Sequence, residues 1–541
     1  MSKVEIYDTT LRDGSQGEGI SFSLEDKLKI LKCLDDFHMD FVEGGWPGSN
    51  PKDIDFFKAS RDIPLEHARV AAFGSTRRAE ISADDDPNLR ALVEVQTPVV
   101  AIFGKSWKLH VTEVLRTTTE ENLRMIADSV GFLRSHDRDV IYDAEHFFDG
   151  YLDDPTYALE TLVAAKEAGA RVLVLCDTNG GTLPLTLGKI VEAVRERLPD
   201  ASLGIHTHND SGVATANTLE AVERGVLHVQ GTFNGLGERC GNADLANILP
   251  NLALKMGKEL SVDSERLAQL THTARYISTI ANRTFPENHA YVGQMAFAHK
   301  GGIHVNSVMK HAKTYEHVDP ELVGNSRRVL MSELAGRANI KHLAMQVGLD
   351  LDAHPTAAKN SVHEIKKLEN EGYVFEGAEA SSTLIILKHM GQLPDFFDLI
   401  RYRVSIEHRA SGGTVTEATV KIRVGGTEHP AVGEGVGPVD ALDNGLRRAI
   451  KEFYPEIDGI VLNDYRVRII NATSGTDAKV CVFIESLDTT SNVSWGTAGA
   501  GENLIEASWT ALRDSIIYGL WKNQAQAKTQ DRPQESTGQT T

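Results

Sequence analysis

RVLVLCDTNGGTLPLTLGKIVEAVRERLPDASLGIHTHND, residues 171–210, holds two short apolar, β-branched runs, near 171–177 and 202–208, separated by a helix-length segment. A strand, a helix and a second strand in this order make a right-handed βαβ unit, with the two strands parallel in one sheet. The alternation continues in both directions, with strands read near 3–9, 40–45, 68–73, 98–104, 138–145 and 228–233. Eight such units in about 250 residues have the size of a closed (β/α)8 barrel. The fold class is therefore α/β, with an N-terminal TIM barrel over 1–256. After the first strand, Ser23 is placed to cap the helix that begins LEDKLKILKCL.

Past 256 the strand signal fades. Stretches such as DSERLAQLTHTARYISTIAN and DAHPTAAKNSVHEIKKLENEG mark 257–398 as helical linker subdomains, expected to complete the active site. Strands return over 399–523 (RYRVSIEHRA, TEATVKIRV, YRVRIINA), and this region repeats itself. Tyr402-Arg403-Val404 recurs 63 residues later as Tyr465-Arg466-Val467, and Gly433-x-Gly435 recurs as Gly499-x-Gly501. Two copies of a strand, strand, glycine turn, helix unit predict a pseudo-symmetric α+β domain with a cleft between the copies. The tail over 524–541 is polar and is expected to be disordered.

The 541 residues are 41% apolar and 24% charged, which is the balance of a globular protein, and no run reaches the ~20 apolar residues of a membrane span. The start, MSKVEIYDTTLRDG, reads as a strand rather than an export signal, so a cytoplasmic location is expected. Cys33, Cys176, Cys240 and Cys481 are far apart, which fits reduced thiols better than a disulfide framework. A net charge of −20 argues against nucleic-acid and anionic-membrane partners. An anionic substrate must then meet local positive charge, from a metal ion or a buried arginine.

His206 and His208 end the seventh strand, and residues i and i+2 share one face of a strand, so both imidazoles can converge on one ion. The C-terminal strand ends are where TIM barrels gather their chemistry. The competing reading is a pair of solvated histidines. Asp13, just past the first strand, offers a carboxylate, and two histidines with one carboxylate leave positions open for a substrate. Asp13 can also be a turn former before Gly14. Asn242 can add an oxygen ligand or cap the helix that follows. Arg12 is placed to polarise a bound carbonyl and stabilise an alkoxide, or else to make a rim salt bridge. Glu145, ending strand five, faces the same cavity as a functional or a structural carboxylate.

DTTLRDGSQ, the H-x-H-N-D run at 206–210 and NGLGERCGNADL together resemble the signature segments of the DRE-TIM metallolyases, and within them the isopropylmalate, homocitrate and citramalate synthases. EGGWPGSNPKD, GKSWKLHV and DAEHFFDGY are similar to the citramalate branch in particular. The resemblance implies Asp13, His206, His208 and Asn242 as ligands of a divalent metal (Mg, Mn or Zn). It implies Arg12 and Thr178 as the keto-acid binders and Glu145 at the catalytic centre. His304 would be the base that enolises acetyl-CoA, with Tyr315 nearby. Many relatives have an aspartate two positions after that histidine, where this chain has Asn306, and the alternative for His304 is a structural role in a glycine-rich turn. The C-terminal repeat resembles the regulatory domain of isopropylmalate synthases, which implies a homodimer and an amino-acid effector, isoleucine or leucine.

The implied reaction is a Claisen-type condensation of acetyl-CoA with pyruvate to (R)-citramalate and CoA, an acyltransferase step in isoleucine biosynthesis. Isopropylmalate or homocitrate synthesis keeps every motif and differs in the keto-acid pocket. A lyase or carboxyltransferase of the same fold would not need the duplicated domain. A non-enzymatic amino-acid sensor would not need the Arg12, Asp13, His206, His208 set.

Overall fold

The structure is a computed structural model that describes residues 3–332, 334–408, 410, 413–470 and 478–530. Eight parallel strands close into a barrel in sequence order: β1 (Glu5–Asp8), β2 (Phe41–Gly45), β3 (Arg69–Ser75), β4 (Val99–Lys105), β5 (Asp139–Glu145), β6 (Val172–Asp177), β7 (Leu203–Thr207) and β8 (His228–Gly231). Each lies where the apolar runs predict it. Closure is direct, with Glu5–Asp8 of β1 in register with His228–Gly231 of β8. Side chains alternate, so Tyr7, Phe41, Ala71, Val99, Ile141, Val172 and Val174 fill the interior while residues between them pack outward under the helices. Ser23 caps the helix Leu24–Asp36 in a reciprocal capping box with Asp26.

The compact unit around the barrel runs through Phe297 and includes 318–326, so helices such as Leu270–Ile280 pack as part of it. A second unit comprises 298–317 and the chain from 327 on. It opens with the helices Gly302–Lys310, Arg337–Gln346, Ala357–Asn370 and Glu379–Met390. Two three-stranded antiparallel sheets follow: β9 (Asp398–His408), β10 (Thr414–Val424) and β11 (Thr427–Gly435), then β12 (Ile460–Ile469), β13 (Val480–Asp488) and β14 (Val493–Gly501). The helices Pro438–Ile450 and Leu504–Gln530 complete the two copies. The repeat extends to a shared irregularity, a bulge at Leu399/Arg401 in one copy and at Leu462/Asp464 in the other.

The predicted unit is corrected in two respects. Each copy has three strands, and its glycine pair lies on the third strand rather than in a turn. A Cβ on Gly433 would sit 2.2 Å from Gly445 N, and one on Gly499 2.1 Å from Ala507 O, so these glycines let the helix backbone lie directly on the strand. A cavity of about 610 Å³ opens between the first copy's helix (Val439, Asp443, Arg447) and β12 of the second (Ile460, Leu462, Tyr465). The last helix continues through Gln530, into the stretch expected to lack structure. Its Ala, Gln and Lys residues are good helix formers; 531–541 lie outside the described residues. Among the described residues no helix is long and apolar enough to cross a membrane, and all four cysteines are free.

Candidate active site

Strand β7 brings His206 inward, and His208 follows at the same parity just beyond its end. Asp13 reaches them from the loop after β1, and ligand atoms of the three residues lie within 4.8 Å of one another, all buried. His206 Nε2 is 3.5 Å from Asp13 Oδ2. Asn242 pairs with His208 through an isolated backbone bridge, and its Nδ2 donates to Asp13 Oδ1 at 3.1 Å. Its own Oδ1 is buried without a hydrogen-bond partner, as is His208 Nδ1. Two unpartnered buried polar atoms beside a convergent carboxylate and imidazole pair fit a divalent cation.

For Asn242 and the histidines the geometry departs from the competing assignments, while Asp13 does open the turn at Gly14–Gln16. The helix Leu245–Pro250 is capped by Asp244, which accepts from Ala246 N, not by Asn242. Asp13 makes no side-chain bond to the short helix it precedes. The histidines are buried rather than solvated. Burial opposes ionisation of Asp13, yet Arg12, His206, His208 and Asn242 hold its carboxyl well below the usual range. Burial, reinforced by His206, pushes His208 down to about 4, so its imidazole is neutral at pH 7, the form that ligates metals.

Arg12, in the loop after β1, is largely buried, with its side chain 11% exposed. Its Nε donates to Glu43 Oε2 at 2.5 Å and its NH1 to Asp13 Oδ2 at 2.9 Å, while Phe73 lies 3.7 Å beneath the guanidinium. Two edges and one face are thereby fixed, and the remaining donors are free for an anion. Glu43 is fully buried and also accepts from Tyr7 Oη (2.7 Å) and Thr9 Oγ1 (2.5 Å). Sequence reasoning missed Glu43. The signal was there, a lone carboxylate at an inward parity of the otherwise apolar strand FVEGG. Asp143 on β5, two residues before Glu145, was also missed; burial, with Glu43 nearby, pushes it up to about 8.

Glu145, ending β5, is paired with Lys105, ending β4. The lysine was not anticipated. Thr178 follows β6, and its Oγ1 accepts from His146 N at 2.9 Å, which leaves the hydroxyl proton free to donate. His146 takes a left-handed backbone (φ 56°) to present that N–H, a strained conformation for a non-glycine residue. These residues share the C-terminal rim with the metal-type cluster.

His304 and Tyr315 belong to the second unit. His304 lies on the helix Gly302–Lys310, not in a glycine-rich turn, and its ring stacks on that of Tyr315 at 4.2 Å. Both side chains are exposed, as is Asn306. Gly302 starts this helix because a Cβ there would crowd Gly336 N at 2.9 Å.

Residues 3–275 match the HMGL-like family, 291–373 the homocitrate synthase post-HMGL domain-like family, and 376–520 the LeuA allosteric (dimerisation) domain family. The class that fold and site define is thus the HMGL-like barrel joined to a LeuA-type C-terminal domain. The chain is 52% identical to the (R)-citramalate synthase of Aquifex aeolicus, over 96% of this chain and 98% of that one. It is 49% identical to the (R)-citramalate synthase of Geobacter sulfurreducens, over 97% and 99%. Identity to a probable 2-isopropylmalate synthase of Methanopyrus kandleri is 33%, over 94% and 97%. The chain belongs to the (R)-citramalate synthase family.

Proposed function

We propose that this chain condenses acetyl-CoA with pyruvate and water to give (R)-citramalate and CoA, at the rim formed by β1, β5, β6 and β7. The observation that carries the reading is the buried Asp13, His206, His208 cluster beside an arginine fixed on two edges and one face. A divalent ion (Mg, Mn or Zn) held by Asp13, His206, His208 and Asn242 supplies Lewis-acid polarisation of the keto oxygen. Arg12 directs its unpaired donors at the pyruvate carboxylate and at the oxygen that gains charge as the carbonyl is attacked. Thr178 donates its free hydroxyl proton to the same anion. Glu145 and Lys105 form a fixed ion pair at the rim, which orients the reacting groups.

His304 is assigned the methyl proton of acetyl-CoA, and Tyr315, stacked on it, holds its ring plane. The carbanion attacks C2 of pyruvate, the resulting alkoxide takes a proton, and water cleaves the thioester to release CoA. The interior beside Arg12 favours the smallest keto acid. Phe73 and Phe103 stack at 5.5 Å and Trp46 meets both edge-on, an aromatic wall beside Arg12 that would suit a small keto acid. Chiral chromatography of the product from acetyl-CoA and pyruvate tests the assignment. (R)-citramalate and CoA in equal amounts are expected. CoA release without any C5 hydroxy diacid would sink it.

The C-terminal domain is assigned to feedback control, as a homodimer responding to isoleucine in the cytoplasm. Its cavity between the two copies combines Ile460 and Leu462 with Asp443 and Arg447, which suits a ligand with an apolar body and a zwitterionic head. Isoleucine is expected to inhibit CoA release, and removal of residues 399–541 to abolish that response. A folded truncated enzyme that is still inhibited would contradict the assignment.

A further inference from the structure

Gln230 is a polar side chain at an inward position of β8, fully buried where an apolar residue would fill the barrel without leaving an amide to satisfy. It sits directly opposite His206 in the β7–β8 register. Its Oε1 lies 2.8 Å from His206 Nδ1, and its Nε2 lies 3.1 Å from Asp143 Oδ1. The two contacts are coupled through one planar amide. With Nε2 donating to Asp143, Oε1 must face the imidazole, and an acceptor there selects the tautomer that carries its proton on Nδ1. That tautomer leaves the Nε2 lone pair directed at Asp13 Oδ2, on the side where the metal-type cluster converges. The reverse orientation would place the amide N–H₂ against Nδ1 and move the imidazole proton to Nε2, where it would block ligation.

We propose that Gln230 is a positioning residue that holds His206 in its metal-binding tautomer, and that Asp143 acts by fixing which way the Gln230 amide faces. The inference rests on the metal-site reading above but not on the identity of the substrate. It adds a layer behind the ligands that reaches across the barrel from β7 through β8 to β5. Such outer partners of ligating histidines commonly change metal affinity by about 10- to 100-fold.

The test is titration of Mn²⁺ into the metal-stripped full-length protein, followed by calorimetry. Gln230→Met conserves volume but removes the amide, and Asp143→Leu frees the amide to rotate. Each is expected to weaken Mn²⁺ binding about 10- to 100-fold. Gln230→Glu keeps an acceptor against Nδ1, so it is expected to bind within about threefold of the unsubstituted protein if tautomer control is the cause. Unchanged binding in a folded Gln230→Met or Asp143→Leu protein would overturn the proposal, as would equal losses in Gln230→Met and Gln230→Glu. If either apolar variant does not fold, the other decides. Absence of Mn²⁺, Co²⁺ and Zn²⁺ binding by the unsubstituted protein would instead reject the metal site itself, and the proposal with it.

Discussion

His208→Ala is expected to lose the bound divalent ion and with it at least about 10³-fold in kcat. His208 Nδ1 has no hydrogen-bond partner in the folded protein, so truncation removes a ligand without breaking a structural bond at that atom. Asp13→Ala should be as damaging to turnover and harder on the fold. It strips the acceptor from Arg12 NH1 and one of the two acceptors of Asn242 Nδ2, and the buried guanidinium then keeps Glu43 as its ion-pair partner. The His208 variant is therefore the cleaner experiment. Elemental analysis of the purified protein beside a CoA-release assay reads both effects. Full metal occupancy in His208→Ala would show that the ion binds elsewhere.

His304→Ala is expected to lower kcat by roughly 10²- to 10⁴-fold, the usual contribution of a positioned base, while pyruvate and metal binding stay near normal. Its side chain is exposed and stacks on Tyr315 at the surface of its helix, so the substitution should cost little stability. Exchange of the acetyl-CoA methyl protons with deuterated solvent, in the presence of a non-condensing pyruvate analogue, isolates the step in question. Exchange at the rate of the unsubstituted enzyme would move the base to Glu145 or a water and leave His304 as a positioning residue.

The barrel was legible because its eight strands are short β-branched runs at regular intervals, and the periodicity survives without any knowledge of contacts. Strands β11 and β14 were not, since TEHPAVGEG contains a proline and two glycines, and glycine in a strand reads as a turn until a helix is seen lying on it. At the site, residues in dense local motifs were found from sequence: Arg12 and Asp13 in one loop, His206 and His208 on one strand face. Glu43, Lys105, Asp143 and Gln230 were missed. Each acquires its meaning from a partner on another strand, which a linear reading does not supply. The Asn242 reading was ambiguous for a related reason. A cap and a ligand need the same side chain, and only the presence of Asp244 at the cap separates them.

The central claim is that the rim formed by β1, β5, β6 and β7 joins acetyl-CoA to pyruvate in preference to larger keto acids. The measurement that tests it most directly is kcat/KM for CoA release with pyruvate, 2-oxobutyrate, 2-oxoisovalerate and 2-oxoglutarate, at saturating acetyl-CoA and metal. Pyruvate is expected to lead, with each added methylene costing about 10-fold or more against the aromatic wall. A clear preference for 2-oxoisovalerate or 2-oxoglutarate would contradict it.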